Sequence, residues 1–212
     1  MKNILCFGDS NTFGHKPDRT GRYAYNERWT GILAQRLGTE YRVIEEGLNG
    51  RTTVFRDDEK PFATGIDYIF PCLMSHRPLD LVIVMLGTND CKTKFHAEPK
   101  DIADGLEQIL DCIQQPFYEQ IPKVLILAPA SIAESEDRSE FYGEFFNHYL
   151  KVSQGLAECY KAVAEKRDCY FLDINTVAKT SETDGVHFDL SAHRQIAIAV
   201  EKKIREEIFP VI

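Results

Sequence analysis

At 212 residues, with 43% hydrophobic and 27% charged side chains, the chain has the size and composition of one soluble globular domain, and residues 1–212 are read as that domain. A formal net charge of −8 excludes nucleic acid as a main partner, because phosphate binding needs clustered Lys and Arg. No apolar run approaches transmembrane length, and a Lys ahead of four apolar residues makes no signal peptide, so a cytoplasmic protein with no membrane partner is expected.

The first predicted element is a strand over 3–7, where Ile4-Leu5-Cys6-Phe7 runs into the turn Gly8-Asp9-Ser10-Asn11. A short apolar run of this kind reads as a buried parallel strand that delivers a serine at its carboxyl end, where open α/β sheets bind ligands. A loop over 11–28 follows, long enough to hold specificity elements. Residues 29–38 carry a helical pattern closed by Gly38 as a C-cap. A second strand over 41–45 leads into Glu46-Gly47-Leu48-Asn49-Gly50-Arg51, and a helical pattern covers 62–76. The third strand, 80–86, contains the continuous apolar run Leu81-Val82-Ile83-Val84-Met85-Leu86, as a central strand covered on both faces does. It leads into Gly87-Thr88-Asn89-Asp90.

Pro99 sits at the first turn of a helix with Ile102, Leu106, Ile109, Leu110 and Ile113 on one face. A fourth strand over 123–128 and a loop over 129–140 precede a long helix marked by Phe141, Phe145, Tyr149, Val152, Leu156 and Val163. A fifth strand spans 169–173. Ile196, Val200, Ile204 and Ile208 mark the last helix, with Ser191 as its N-cap. Alternating strands and helices joined by right-handed crossovers predict a three-layer α/β/α sandwich around a five-stranded parallel sheet, in the flavodoxin-like order 2-1-3-4-5.

Six cysteines (Cys6, Cys72, Cys91, Cys112, Cys159 and Cys169) include no Cys-x-x-Cys pair, so zinc and thioredoxin-like readings lack support and a reduced cytosolic chain fits. Cys6 and Cys169 fall in predicted strands, and Cys112 and Cys159 in predicted helices, as small buried hydrophobes do.

The chemistry gathers at strand ends. Serine is a poor nucleophile until a base takes its proton, and the base needs a third group to fix its tautomer. Ser10 supplies the hydroxyl and His187 the candidate base. Asp184, three residues earlier in Thr183-Asp184-Gly185-Val186-His187, can turn back onto the same imidazole, with Gly185 allowing the turn. Each motif alone reads as an ordinary turn. In the order 2-1-3-4-5, however, strand 1 lies between strands 2 and 3, so Ser10 is flanked by Gly50 and Asn89. The amides of Ser10 and Gly50 and the side chain of Asn89 can then converge on one oxyanion.

These residues carry a resemblance. Phe7-Gly8-Asp9-Ser10, Gly50, Gly87-Thr88-Asn89-Asp90 and Asp184-Gly185-Val186-His187 match, in order, the four motif blocks of the SGNH, or GDSL, hydrolases. The likeness covers nearly the whole chain. It is strongest to the bacterial arylesterase and acyltransferase branch, through Arg28-Trp29-Thr30-Gly31, Val43-Ile44-Glu45-Glu46-Gly47-Leu48 and Pro78-Leu79-Asp80-Leu81-Val82. The resemblance implies an esterase with Ser10, His187 and Asp184 as its triad and Ser10, Gly50 and Asn89 as its oxyanion hole. It also implies a small ester substrate, acyl transfer to alcohols as a possible side reaction, no cofactor or metal, and a homo-oligomer. A carbohydrate O-deacetylase on the same triad and a non-catalytic binding module are the alternatives. The chain departs from the branch at Asn11-Thr12-Phe13, where the branch has Leu-Thr-Trp, and at Gly50, where it has Ala. The loops near 56–61 and 115–122 look shorter. These differences bear on acyl-pocket shape. Thr12 also separates the serine turn from the Gly-x-Ser-x-Gly elbow.

Other candidates carry ordinary readings beside their functional ones. Asp9 and Asp90 invite a carboxylate-pair mechanism, or brace the loops beside them. Cys91 is either a reactive thiol or a packed residue. His187, Asp189 and His193 suggest metal, although His193 is expected in the first turn of the last helix, exposed. His15, His76, His96 and His148 are expected on the surface or in loops, His15 at the entrance. Arg51 and Trp29 lie near the site by resemblance, with a loop salt bridge and core packing as their ordinary roles. Glu134-Ser135-Glu136-Asp137 reads as a solvated loop that can edge the cleft. Phe13, Tyr23 and Tyr25, with Ile132 and Phe141, offer an apolar pocket or cover the core.

Overall fold

The computed structural model describes residues 1–115, 120–135 and 148–210. Five strands, β1 (Lys2–Gly8), β2 (Tyr41–Gly47), β3 (Leu81–Met85), β4 (Lys123–Ala128) and β5 (Tyr170–Asp173), form one sheet in the order β2-β1-β3-β4-β5. Every pairing is parallel. This is the predicted order.

Alternate side chains of the strands feed two cores. Leu5, Phe7, Val82, Val84 and Ile126 face one, and Ile4, Cys6, Leu81, Ile83 and Leu125 the other. Each such burial is worth about 1.5–3 kcal/mol for an aliphatic or Phe side chain. Helices α1 (Ser10–Phe13), α2 (Trp29–Leu37), α3 (Gly65–His76), α4 (Pro99–Ile113), α5 (His148–Lys166) and α6 (Leu190–Lys203) complete the layers. Helices α3, α4 and α5 close the first core with Ile69, Leu106 and Leu156, while α2 and α6 close the second with Leu33 and Ile196. Among the described residues, no helix is long and apolar enough to cross a membrane.

The helix predictions are met with local corrections. Gly38 caps α2 with a left-handed φ of 76°, and Pro99 opens α4 beside a capping box between Glu98 and Asp101. The pattern over 62–76 splits into a 3₁₀ turn at Pro61–Ala63 and α3 from Gly65. The N-cap of α6 is Asp189 rather than Ser191: its carboxylate accepts from the Ala192 N–H at 2.7 Å, and Ser191 is already helical. Beyond Lys203 the chain widens into a π turn, Ile204–Ile208. Isoleucines spaced every four residues drift around a 3.6-residue helix, and the wider turn returns Ile204 and Ile208 to the core. Val152, Leu156 and Val163 of α5 are buried as expected. Phe141, Phe145 and the Tyr149 side chain lie outside what is described. Cys6 is buried in β1, but Cys112, Cys159 and Cys169 are only half-buried, and Cys169 stands just ahead of β5.

Register positions the site. Gly8 pairs with Gly47 on one side and Met85 on the other, so β1, β2 and β3 end level and their following turns stand together at one edge of the sheet.

Candidate active site

Ser10 follows β1 with only Asp9, the N-cap, between them, and is the first residue of α1. The Asp9 carboxylate accepts from the Asn11 N–H at 2.9 Å, and the Asp9 carbonyl accepts from Thr12 and Phe13, which turns the chain sharply at the serine. Burial raises the Asp9 carboxyl to about 6, against the pull of the Asn11 N–H and the nearby His187.

Asp184 and His187 arrive from the far end of the sequence in a closed loop. The Gly185 N–H donates to the Ser181 carbonyl at 2.8 Å, and the Ser181 N–H to the His187 carbonyl at 2.7 Å. Gly185 holds φ +71°, and a Cβ there would lie 2.2 Å from the Ala133 carbonyl oxygen, so only glycine fits. Asp184 Oδ1 accepts from the backbone N–H groups of Val186 and His187, and Oδ2 lies 2.5 Å from His187 Nδ1. His187 Nε2 stands 2.9 Å from Ser10 Oγ. With Nδ1–H donating to Asp184, Nε2 carries the lone pair and accepts from the Ser10 hydroxyl. All three side chains are buried. Burial pushes the Asp184 carboxyl up, but the His187 imidazole and the two backbone donors outweigh it and hold the carboxyl below its usual range. The predicted Ser10, His187 and Asp184 are thus drawn into one continuous chain of hydrogen bonds.

The flanking turns also reach this edge. Asn89 lies in a short 3₁₀ turn after β3, and its Nδ2 donates to the Arg51 carbonyl at 3.1 Å. An amide nitrogen has two hydrogens, so one remains for another acceptor. Gly50, next to Arg51, takes φ +83°, which suits glycine better than the alanine of the related branch. Among the described residues Arg51 forms no loop salt bridge of the kind expected. It donates to the carbonyls of Gly8 and Glu46 and lies 4.2 Å over the Phe7 ring, tying the β2 turn to the end of β1.

The competing candidates are committed elsewhere. Asp90 accepts from the Thr53 N–H at 2.8 Å and from the Thr53 hydroxyl; burial raises its carboxyl to about 6. It braces the loop after β2, as Asp9 braces α1. Cys91 is fully buried, with Sγ 3.3 Å from the Gly87 carbonyl, and burial raises its thiol well above the ordinary value, away from a reactive thiolate. Both ring nitrogens of His187 face triad partners, and Asp189 caps α6. His193 is not exposed: it is fully buried, its Nδ1 accepts from the Trp29 N–H at 3.2 Å, and the Tyr23 ring stands edge-on at 5.2 Å. A first-turn position does not determine which way a helix faces, and α6 turns this one onto the start of α2. Trp29 is core.

One contributor, Asn11, was missed from sequence, and another, His15, was placed only at the entrance. Asn11 donates through Nδ2 to the Val186 carbonyl at 3.2 Å and accepts at Oδ1 from the Phe188 N–H at 3.1 Å, lacing the serine turn to the His187 loop. Its only sequence signal was its departure from the leucine of the related branch. His15 lies 4.7 Å, ring to ring, from His187, closer than a place at the entrance requires. Of the expected apolar wall, Phe13 is half-buried beneath the Arg22 guanidinium, Ile132 is buried and Tyr25 is exposed; Phe141 lies outside the described residues.

Comparison with known proteins agrees with this geometry. The family model for GDSL-like lipase/acylhydrolase proteins matches residues 6–195. The solved aryl esterase of M. smegmatis is similar at 38% identity, covering 97% of this chain and 99% of that one, with a TM-score of 0.92. A carbohydrate acetylesterase family member from Sinorhizobium meliloti is 34% identical, covering 98% of this chain and 99% of that one, with a TM-score of 0.90. An acetylxylan esterase of Xylanibacter ruminicola is 27% identical over 120 residues, which is 57% of this chain and 23% of that relative's length.

Proposed function

The chain belongs to the GDSL-like lipase/acylhydrolase family, and on that premise we propose that it is a serine esterase hydrolysing small acyl or aryl esters through an acyl-enzyme on Ser10. The observation that carries this reading is the continuous Asp184–His187–Ser10 chain, with separations of 2.5 and 2.9 Å.

In the proposed reaction Ser10 Oγ attacks the ester carbonyl carbon as its proton passes to His187 Nε2. Asp184 stabilises the resulting imidazolium. The amides of Ser10 and Gly50 and the spare N–H of Asn89 receive the oxyanion, each such donor being worth about 2.7–4 kcal/mol in the transition state. Collapse breaks the carbonyl–alkoxy bond, and the leaving alcohol takes the proton from His187. Water then attacks the acyl-serine, His187 accepts its proton and returns it to Ser10, and the carboxylic acid departs. An alcohol in place of water gives acyl transfer by the same steps. His187 and Asp184 supply the acid–base chemistry, so no metal or cofactor enters the scheme.

Ser10→Ala is expected to abolish p-nitrophenyl acetate turnover while leaving the far-UV circular dichroism unchanged. Near-normal turnover by this variant sinks the reading.

A second reading, a carbohydrate O-deacetylase on the same triad, draws support from the likeness to the carbohydrate acetylesterase family member and the acetylxylan esterase. A panel of aryl, alkyl and acetylated-sugar esters separates the two. A homo-oligomer and a cytoplasmic place belong to the same proposal and rest on the family likeness and the sequence reading alone.

A further inference from the structure

Away from the triad, three metal-ligand types converge between the end of β2 and the last two turns of α3. Cys72 and His76 are four residues apart on α3, hence on one face of the helix. Glu46, on the edge strand β2, faces them. The Cys72 sulfur, a His76 ring nitrogen and a Glu46 carboxylate oxygen all lie within 4.8 Å of one another. His76 Nε2 is 2.8 Å from Glu46 Oε1. Cys72 is 1% exposed, whereas the Glu46 and His76 side chains keep 19% and 26% of their surface, which leaves an approach from solvent.

We propose that Glu46, Cys72 and His76 form a zinc site with a fourth position for water. Thiolate, imidazole and carboxylate are the donors zinc takes, whereas calcium and magnesium select all-oxygen sets. Zinc bonds of about 2.0–2.3 Å place tetrahedral ligand atoms about 3.5 Å apart. Reaching that spacing takes side-chain movements of about 1 Å or less, the His76–Glu46 pair opening and wider pairs closing, and His76 stands at the free end of its helix. Thiolate and carboxylate together balance the dication. Arg51, whose guanidinium lies 5.4 Å over the Tyr68 ring of the same helix, opposes the cation and makes two anionic ligands necessary.

Binding replaces the thiol proton: zinc enters, the Zn–S bond forms, one proton leaves, and His76 presents a ring lone pair. Glu46, which pairs with His76 in the empty site, becomes a co-ligand. Occupancy then clips α3 to the strand that leads into Gly50.

The test is titration of chelator-stripped full-length protein with Co²⁺ and, separately, Zn²⁺. One Co²⁺ per chain with a near-ultraviolet thiolate-to-cobalt charge-transfer band is expected. Zinc should displace that band, release about one proton per ion and raise Tm. Cys72→Ser should lose the band and the Tm rise, and His76→Gln, which removes a direct ligand, should weaken binding by at least the roughly 10- to 100-fold that loss of an outer partner costs. Ser10→Ala should bind as wild type does, keeping the result separate from the fate of the esterase reading. Absence of the band at one equivalent overturns the proposal. So does a band that survives Cys72→Ser, which would assign it to another cysteine, or one that is indifferent to His76→Gln.

Discussion

Asn11 spends both ends of its amide on the loop that carries the base, donating to the Val186 carbonyl and accepting from the Phe188 N–H. These backbone groups are buried, and each left unpaired costs about 1–3 kcal/mol. Asn11→Ala therefore frees the His187 loop from the serine turn without touching Ser10, Asp184 or His187. The expected outcome is a lower Tm and a kcat reduced about 10- to 100-fold, with KM nearly unchanged, because misplacement of a base by about 1 Å costs rate rather than binding. Stopped-flow or steady-state kinetics on p-nitrophenyl acetate measure it; an unaltered kcat removes the positioning role. Ser10, Asn89, Asp184 and His187 were legible in the sequence because each sits in a short motif whose spacing reflects its chemistry. Asn11 was not, because its partners stand 175 and 177 residues away and nothing local marks them.

Helix α6 is held to α2 by His193, whose Nδ1 must carry a lone pair to accept the Trp29 N–H. Burial lowers this imidazole from 6.5 to about 4, with Arg28 and His187 adding to the effect and Asp189 opposing it. As pH falls below 6.5 the unfolded chain takes up a proton that the folded chain refuses until about 4, so His193 withdraws stability across that window. Asp9 and Asp90 act with the opposite sign: carboxyls raised to about 6 contribute stability below 3.8 that is lost as pH rises through 6. The His193 effect is therefore read as a difference. Between pH 6.5 and 4, urea unfolding of His193→Gln should show a pH slope smaller than wild type by about one proton. Identical slopes contradict a buried neutral imidazole. The buried face of α4 followed from apolar spacing: Ile102, Leu106, Ile109, Leu110 and Ile113 are all fully buried. The facing of α6 and its cap did not follow, since Asp189 and Ser191 are equally good capping types and only the packed geometry selects between them.

Across the whole molecule, Ser10 and His187 come from opposite ends of the chain, 177 residues apart, and meet where the loop ahead of α6 is laced through Asn11 to the turn after β1. The sheet order was readable from strand–helix alternation and one continuously apolar central strand, a pattern with few topological solutions. The walls around the acyl group were less readable. The rings expected there divide between the core, contact with Arg22 and solvent, and that choice is set by tertiary packing rather than residue type. If His187 and Asp184 activate Ser10 as proposed, Ser10 is the reactive nucleophile among the serines and free thiols. Labelling with a fluorophosphonate followed by peptide mass mapping should then give one adduct per chain, on Ser10 and strongly diminished in His187→Ala. An unlabelled protein, or an adduct on Cys91 or any other residue, would contradict it.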